Sequence, residues 1–263
     1  MSGLPKSSFY YSLAHPREDK YKIERELVKQ IYHENKGRYG YRRITLEFKN
    51  RGLSTNHKVI QKLMHEENIV CKVRKRRYRS YKGQIGEVAP NILQRNFKAS
   101  KPNEKWVTDI TQFNIHGTKL YLSSILDLYG GFIVSWNLSI SPSFSQVQDM
   151  LNKAFLQIPN DTGLIFHSDQ GWQYPMYEYQ KRLEDKGIRQ NMSRKGNCLD
   201  NAVIENFHGL LKSELLYLQE FESVEHFKKE LTDYISWYNE KRIKIKLKGL
   251  TPLQFRNQSL RLN

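Results

Sequence analysis

The apolar positions follow two different periods along the chain. In KYKIERELVKQIYHEN, Ile23, Leu27, Val28 and Ile31 recur at helical spacing and predict a helix over residues 20–35. Gly37 and Gly40 end it. YRRITLEFKNRG puts Ile44, Leu46 and Phe48 on a short second helix closed by Gly52. Thr55 or Asn56 can cap a third helix, HKVIQKLMHEEN, with Val59, Ile60, Leu63 and Met64 facing inward. Two short helices around a tight turn, after a longer one, predict a helix-turn-helix unit.

From Lys105 the period shortens. WVTDITQFNI, KLYLSSILDLY and GFIVSWNLSI read as three strands, with turns at His116-Gly117 and Gly130-Gly131. SFSQVQDMLNKAFLQI returns to helical spacing, with Val147, Met150, Leu151 and Phe155 inward. There follow a strand GLIFHS, a helix YPMYEYQKRLEDKG, a short strand IRQNMS, a polar loop RKGNCLDNA and a helix VIENFHGLLKSELL. The order β-β-β-α-β-α-β-α predicts a mixed α/β layered domain. A long amphipathic helix, SVEHFKKELTDYISWYNEKR, and a basic tail, KIKLKGLTPLQFR, close the chain. The expected division is an arm over 1–19, a helix-turn-helix domain over 20–71 and a basic linker over 72–103. An α/β core over 104–220 and a helix with a basic tail over 221–263 complete it.

Charge sharpens this picture because it is segregated. The formal net charge is +16 over 263 residues. Residues 1–101 carry 24 Lys and Arg against 9 acids, residues 102–220 carry 10 against 13, and residues 221–263 carry 9 against 5. An acidic centre between basic flanks suits a core held to a polyanion by its ends. Residues 72–82, KVRKRRYRSYK, concentrate seven Lys and Arg, and Arg74, Lys75, Arg76 and Arg77 are the expected phosphate contacts. Cys71 and Cys198 lie too far apart in sequence to give a disulfide framework or a CxxC zinc signature. No signal peptide opens the chain and no apolar stretch approaches the length of a membrane span. A soluble, intracellular protein is expected.

The candidate chemistry rests on three acids: Asp109 in WVTDIT, Asp169 in FHSDQGWQY and Glu205 in NAVIENFHGLLKSE. The two aspartates adjoin runs rich in Val, Ile and Phe, where a carboxylate is costly unless something pairs with it. Two strand-borne aspartates and a helix-borne glutamate can converge on a pair of divalent cations. Such a pair, ~3.5–4 Å apart, can activate one oxygen and stabilise another during in-line displacement at phosphorus. The acids are oxygen donors, the ligands Mg²⁺ prefers, and Mn²⁺ can substitute. Lys212 lies two helical turns beyond Glu205, on the same face.

WVTDIT, HSDQGWQY and SRKGNCLDNAVIENFHGLLKSE, in this order and with 35 residues between Asp169 and Glu205, resemble the catalytic core of retroviral integrases and bacterial insertion-sequence transposases. The ending WYNEKRIKIKLKGLTPLQF resembles that of the second-frame product of the two-frame insertion-sequence family. The resemblance runs from about residue 20 to 256. It implies an RNase H-like (retroviral integrase) core and Mg²⁺-dependent cleavage and 3′-hydroxyl strand transfer on double-stranded DNA. It also implies work as a homo-oligomer in a synaptic complex, in the cytoplasm and associated with the nucleoid. Carried over residue by residue, Asp109, Asp169 and Glu205 are the catalytic acids and metal ligands, and Lys212 contacts DNA. Lys195 and Asn201, in the loop before the glutamate, are further expected DNA contacts. Asp200-Asn201 fits a helix cap as well as it fits a part in the chemistry. Gly196 fits a simple turn, and His208 fits the core or surface better than a place beside the acids. The chain departs from retroviral integrases in lacking their paired His and Cys at the amino terminus. A nuclease of the same fold without strand transfer, or a non-catalytic DNA-binding regulator, stand as alternatives.

Overall fold

A computed structural model describes residue 10 and residues 19–73, 96–193 and 201–260. The chain divides into two compact units, residues 1–72 and 73–263.

The first unit holds α1 (Lys22–Glu34), α2 (Tyr41–Asn50) and α3 (His57–Glu66). Their buried stripes are Val28 and Ile31, Ile44 and Phe48, and Ile60, Leu63 and Met64. The α2–α3 turn passes through Gly52, whose positive φ of 80° suits a residue without Cβ. Asn56 caps α3 by accepting from the Lys58 amide at 2.9 Å. Ile23 departs from expectation: it is 77% exposed. It lies about 140° around the helix from Val28, so the stripe that meets α2 and α3 misses it. Arg25 ties the entry of α1 to the end of α3 through Asp19, Glu66 and Glu67.

The second unit is built on a five-stranded sheet ordered β3-β2-β1-β4-β5. β1 (Lys105–Ile115), β2 (Thr118–Asp127) and β3 (Phe132–Ser139) form an antiparallel meander, and β4 (Ile165–Ser168) and β5 (Arg189–Met192) add in parallel. The β1–β2 hairpin turns on His116 and Gly117, both at positive φ. Side-chain alternation sorts β1 to two faces. Trp106 joins Ile125, Val134 and Phe166 under α4 (Phe144–Phe155) and α5 (Tyr177–Asp185). Val107 and Phe113 join Leu122 and Leu126 under α6 (Ala202–Leu211) and α7 (Val224–Glu240). Helices therefore cover both faces, as the element order predicts. The helix expected from Tyr174 starts at Tyr177, after Pro175 and Met176.

The basic tail is more ordered than its composition suggests. After a 3₁₀ turn (Ile245–Leu247) it forms α8 (Pro252–Leu260). Lys244 Nζ donates to the carbonyls of Gly130 and Gly131 at 3.0 and 3.1 Å. Arg256 reaches Asp127 at 2.5 Å and Asn103 at 2.7 Å. Asp127 has no exposed surface. Burial raises its carboxyl pKa above the ordinary range, against the amides of Asn103 and Tyr129 and the charge of Arg256.

Breaking a buried ion pair by removing one partner strands the other charge, at a cost of ~3–5 kcal/mol. Arg256→Ala should therefore destabilise the protein by about that much at pH 7.5, measured by urea unfolding. Protonation relieves a stranded carboxylate, so the loss should shrink as the pH falls toward ~4. An equal loss at both pH values would assign the effect to packing of α8 rather than to the charge of Asp127.

Candidate functional site

β1 and β4 pair only over Lys105–Ile165, Trp106–Phe166 and Val107–His167. Beyond that point the two parallel strands part. Asp109 and Asp169 each stand two residues past the last pair, on either side of the opening. Crevices beyond the carboxyl ends of parallel strands are where α/β sheets place their ligands. Strand parity turns Asp109 toward the α6 face, the side of Val107 and Phe113.

α6 brings the third acid, and Glu205 sits in its first turn. The helix start is tied to β1: Asn201 Nδ2 donates to the Thr108 carbonyl at 3.3 Å, one residue before Asp109. Asn201 is buried, and its side chain makes no cap bond to α6, so it fastens helix to strand instead of capping. Its Oδ1 has no hydrogen-bond partner among the described residues.

His208, one turn after Glu205, belongs to the site rather than to the core or surface alone. Its Nδ1 lies 3.4 Å from Asp109 Oδ2, and its Nε2 lies 2.9 Å from the Ser124 hydroxyl. Ser124 is the cross-strand partner of Asp109 on β2. The ring thus bridges two neighbouring strand positions from above. The spacing Glu205–His208 carried this signal, but a histidine on a helix face gives no sign in sequence of which strand it will meet.

The charges of Asp109 and Glu205 both reach Asp169. The Asp169 carboxyl is pushed up from 3.8 to about 6, first by burial, then by the charge of Asp109 and last by that of Glu205, while the Gly171 amide opposes the shift. That amide donates to Asp169 Oδ1 at 2.8 Å. Asp109 Oδ1 accepts from the Ile110 amide at 2.8 Å. Lys212 is half-buried, with Nζ 5.7 Å from the centre of the Phe113 ring. Burial lowers its pKa and the charge of Asp109 opposes that. Among the described residues, no three His, Cys, Asp or Glu side chains already close on one metal-sized point. The three acids share a field without sharing a ligand geometry. All three supply oxygen, the donor type that Mg²⁺ and Mn²⁺ take, and their mutual repulsion is what a cation would relieve. Arg74, Lys75, Arg76, Arg77 and Lys195 lie outside the described residues, as do Gly196 and Asp200.

The fold and this crevice define an integrase-core protein. An integrase core domain model matches residues 99–198, a second one matches residues 205–260, and an HTH-like domain model matches residues 18–77. InsK of the insertion sequence element IS150, from Escherichia coli (strain K12), is 51% identical over 257 residues, covering 97% of this chain and 91% of that protein. The transposase InsF of insertion sequence IS3A, from the same organism, is 33% identical over 236 residues, covering 89% of this chain and 82% of its own. A chain of a simian T-cell lymphotropic virus intasome in complex with PP2A regulatory subunit B56 gamma, solved by cryo-electron microscopy, shares the fold. Its TM-score is 0.50 at 16% identity, covering 87% of this chain and 74% of that one. This chain belongs to the IS3 family of insertion-sequence transposases, as a second-frame product with an integrase core and an amino-terminal helix-turn-helix. No helix among its described residues is long and apolar enough to cross a membrane.

A carboxyl whose pKa is raised by folding binds its proton more tightly in the folded state. The resulting cost is absent below the ordinary value and fully present above the raised one. Asp169→Asn should therefore stabilise the metal-free protein at pH 7.5 by ~1–3 kcal/mol. The gain should fade as the pH drops from about 6 toward 4, as read by thermal unfolding across that range. A variant less stable than the parent at pH 7.5 would contradict this electrostatic account.

Proposed function

We propose that this transposase cleaves the ends of its insertion sequence and joins the freed 3′-hydroxyl to DNA, by phosphodiester transesterification that depends on divalent metal. The observation that carries the proposal is the meeting of Asp109, Asp169 and Glu205, from β1, the end of β4 and α6, in one crevice where each charge acts on Asp169. These three would hold Mg²⁺, with Mn²⁺ as a substitute. Two such ions supply activation of the attacking oxygen and neutralisation of the leaving one.

The chain's own residues do the rest. The backbone amides of Gly171 and Ile110 hold one oxygen each of Asp169 and Asp109, and His208 lies against the second oxygen of Asp109. His208 steadies Asp109 from the side of Ser124. Lys212 offers an ammonium beside Asp109 that can hold a phosphate oxygen without ligating metal, since a charged lysine has no lone pair. No side chain need attack phosphorus, so no covalent protein–DNA intermediate is expected. Double-stranded DNA, as terminal repeats and as target, would lie along Arg74, Lys75, Arg76, Arg77 and Lys195. The helix-turn-helix over 20–71 would read the ends, the linker over 72–103 would track phosphates, and residues 104–220 would cut. Two ends must be brought together, so a homo-oligomer is expected at work.

Glu205→Gln, Asp109→Asn or Asp169→Asn should abolish nicking of a labelled end while DNA binding is largely retained. Mg²⁺ should raise the thermal midpoint of the parent protein more than that of any of the three. Nicking by the Glu205→Gln protein near the parent rate would end the proposal. Nicked but never joined products from the parent would favour the nuclease reading.

Lys212→Ala should slow nicking and strand transfer at a specific end by ~10²-fold, the scale for misplacing a reacting group. Binding to long nonspecific DNA should change little, because many other cations contribute. Full strand-transfer activity on pre-cleaved ends would show that Lys212 has no part in the chemistry.

A further inference from the structure

The helix that carries Glu205 does not continue as an α-helix. After Leu211 it widens into a π turn over Lys212–Leu216. Such a turn is a poorer helix than the one it interrupts, and it is common at functional sites. Something outside the helix must hold it.

The holder is Glu214, in the middle of the turn. Its Oε2 accepts from Arg242 Nε at 2.8 Å and its Oε1 from Arg242 Nη2 at 2.6 Å. Oε2 also accepts from the Tyr234 hydroxyl at 3.0 Å. Glu214 is 1% exposed and Arg242 is 3% exposed. Tyr234 lies on α7 and Arg242 just beyond its end, so the turn is gripped from the α7 side. Lys212 opens the same turn. Two residues apart, it and Glu214 project to roughly opposite sides, and the Lys212 ammonium lies over the Phe113 ring, on the same strand as Asp109, whose charge acts on it.

A buried ion pair is an inefficient source of stability, since apolar residues of similar volume often do as well or better. A two-pronged Arg–carboxylate contact does fix orientation, which an apolar pair does not. We infer that Glu214, through its bonds to Arg242 and Tyr234, is a positioning residue that holds the π turn and so aims Lys212 at the crevice. The inference rests on the role proposed above for Lys212.

The test replaces the polar cluster with apolar side chains: Glu214→Leu, Tyr234→Phe and Arg242→Met together, in the full chain. This variant should unfold at or above the parent's temperature. It should nevertheless nick and join a specific end ~10- to 100-fold more slowly. In a Lys212→Ala background the same three changes should add no further loss, because they act through that lysine. Acetylation of Lys212 by a small reagent, followed by mass spectrometry, should speed up in the apolar variant as the turn relaxes. A stable variant with parental nicking, or losses that multiply in the combined protein, would overturn the inference. If the triple change unfolds the chain, Glu214→Gln takes its place under the same readings. If Lys212→Ala is fully active, the proposed role of the lysine fails on its own, and unchanged Lys212 acetylation in the variant then overturns the positioning inference separately.

Discussion

Like charges held close together in a half-buried crevice are the constraint on which the rest of this molecule depends. Burial first, then the charge of Asp109 and last that of Glu205, move the Asp169 carboxyl to about 6. Each unit of such a shift is worth about 1.4 kcal/mol. Left to local preference, the three side chains would separate. What prevents this is that each is borne by an element fixed elsewhere: a central strand, the end of its parallel neighbour, and a helix whose face is buried through Ile204, Phe207 and Leu211. The apolar layers on the two sheet faces are the counterweight to that repulsion.

The treatment of carboxylates differs between site and scaffold. Two other acids are more deeply buried: Asp127 at 0% exposed and Glu214 at 1%. Each of these is met by an arginine, Arg256 and Arg242 respectively. Asp109 and Asp169 receive backbone amides, as Asp127 also does, and Asp109 a histidine, but neither has an arginine partner among the described residues. Amides orient a carboxylate without neutralising it. The scaffold's most buried acids are met directly by a guanidinium; those of the crevice are met by amides and a histidine, with the Lys212 ammonium acting on Asp109 only through its field.

This division explains what could be read from the sequence and what could not. The period of apolar residues predicts the three amino-terminal helices and the β-β-β-α-β-α-β-α order, because both come from local alternation. The acids stand out because they interrupt strands that otherwise avoid charge. Ile23 misleads because a helical stripe shows which positions line up, not where the stripe ends against its neighbours. The tail misleads for a different reason. Its lysines and arginine count toward the basic flank expected to meet a polyanion, yet Lys244 and Arg256 are spent on the carbonyls of Gly130 and Gly131 and on Asp127. Their partners lie more than a hundred residues earlier, so no window of sequence pairs them. Asn201 and His208 fail in the same way: the helix spacing is legible, but Thr108 and Ser124 on the strands beneath are not.

The charge balance then limits how DNA can reach the crevice. Residues 102–220 carry 10 Lys and Arg against 13 acids, so this stretch does not attract a polyanion by itself. Part of the positive charge after residue 220 is bound internally, in Arg242, Lys244 and Arg256. The cations able to draw DNA are therefore concentrated before residue 102, where Lys and Arg outnumber acids by 24 to 9. Coulomb attraction over such a patch is screened within about 10 Å at moderate salt, so it gathers DNA without choosing a phosphodiester. Under the function proposed above, selection of the bond would come from short-range contacts at the crevice. Near the acids lies the half-buried ammonium of Lys212, which feels the charge of Asp109. On that proposal capture and choice would be separated along the chain: diffuse charge in the first third, and a few oriented groups near Asp109.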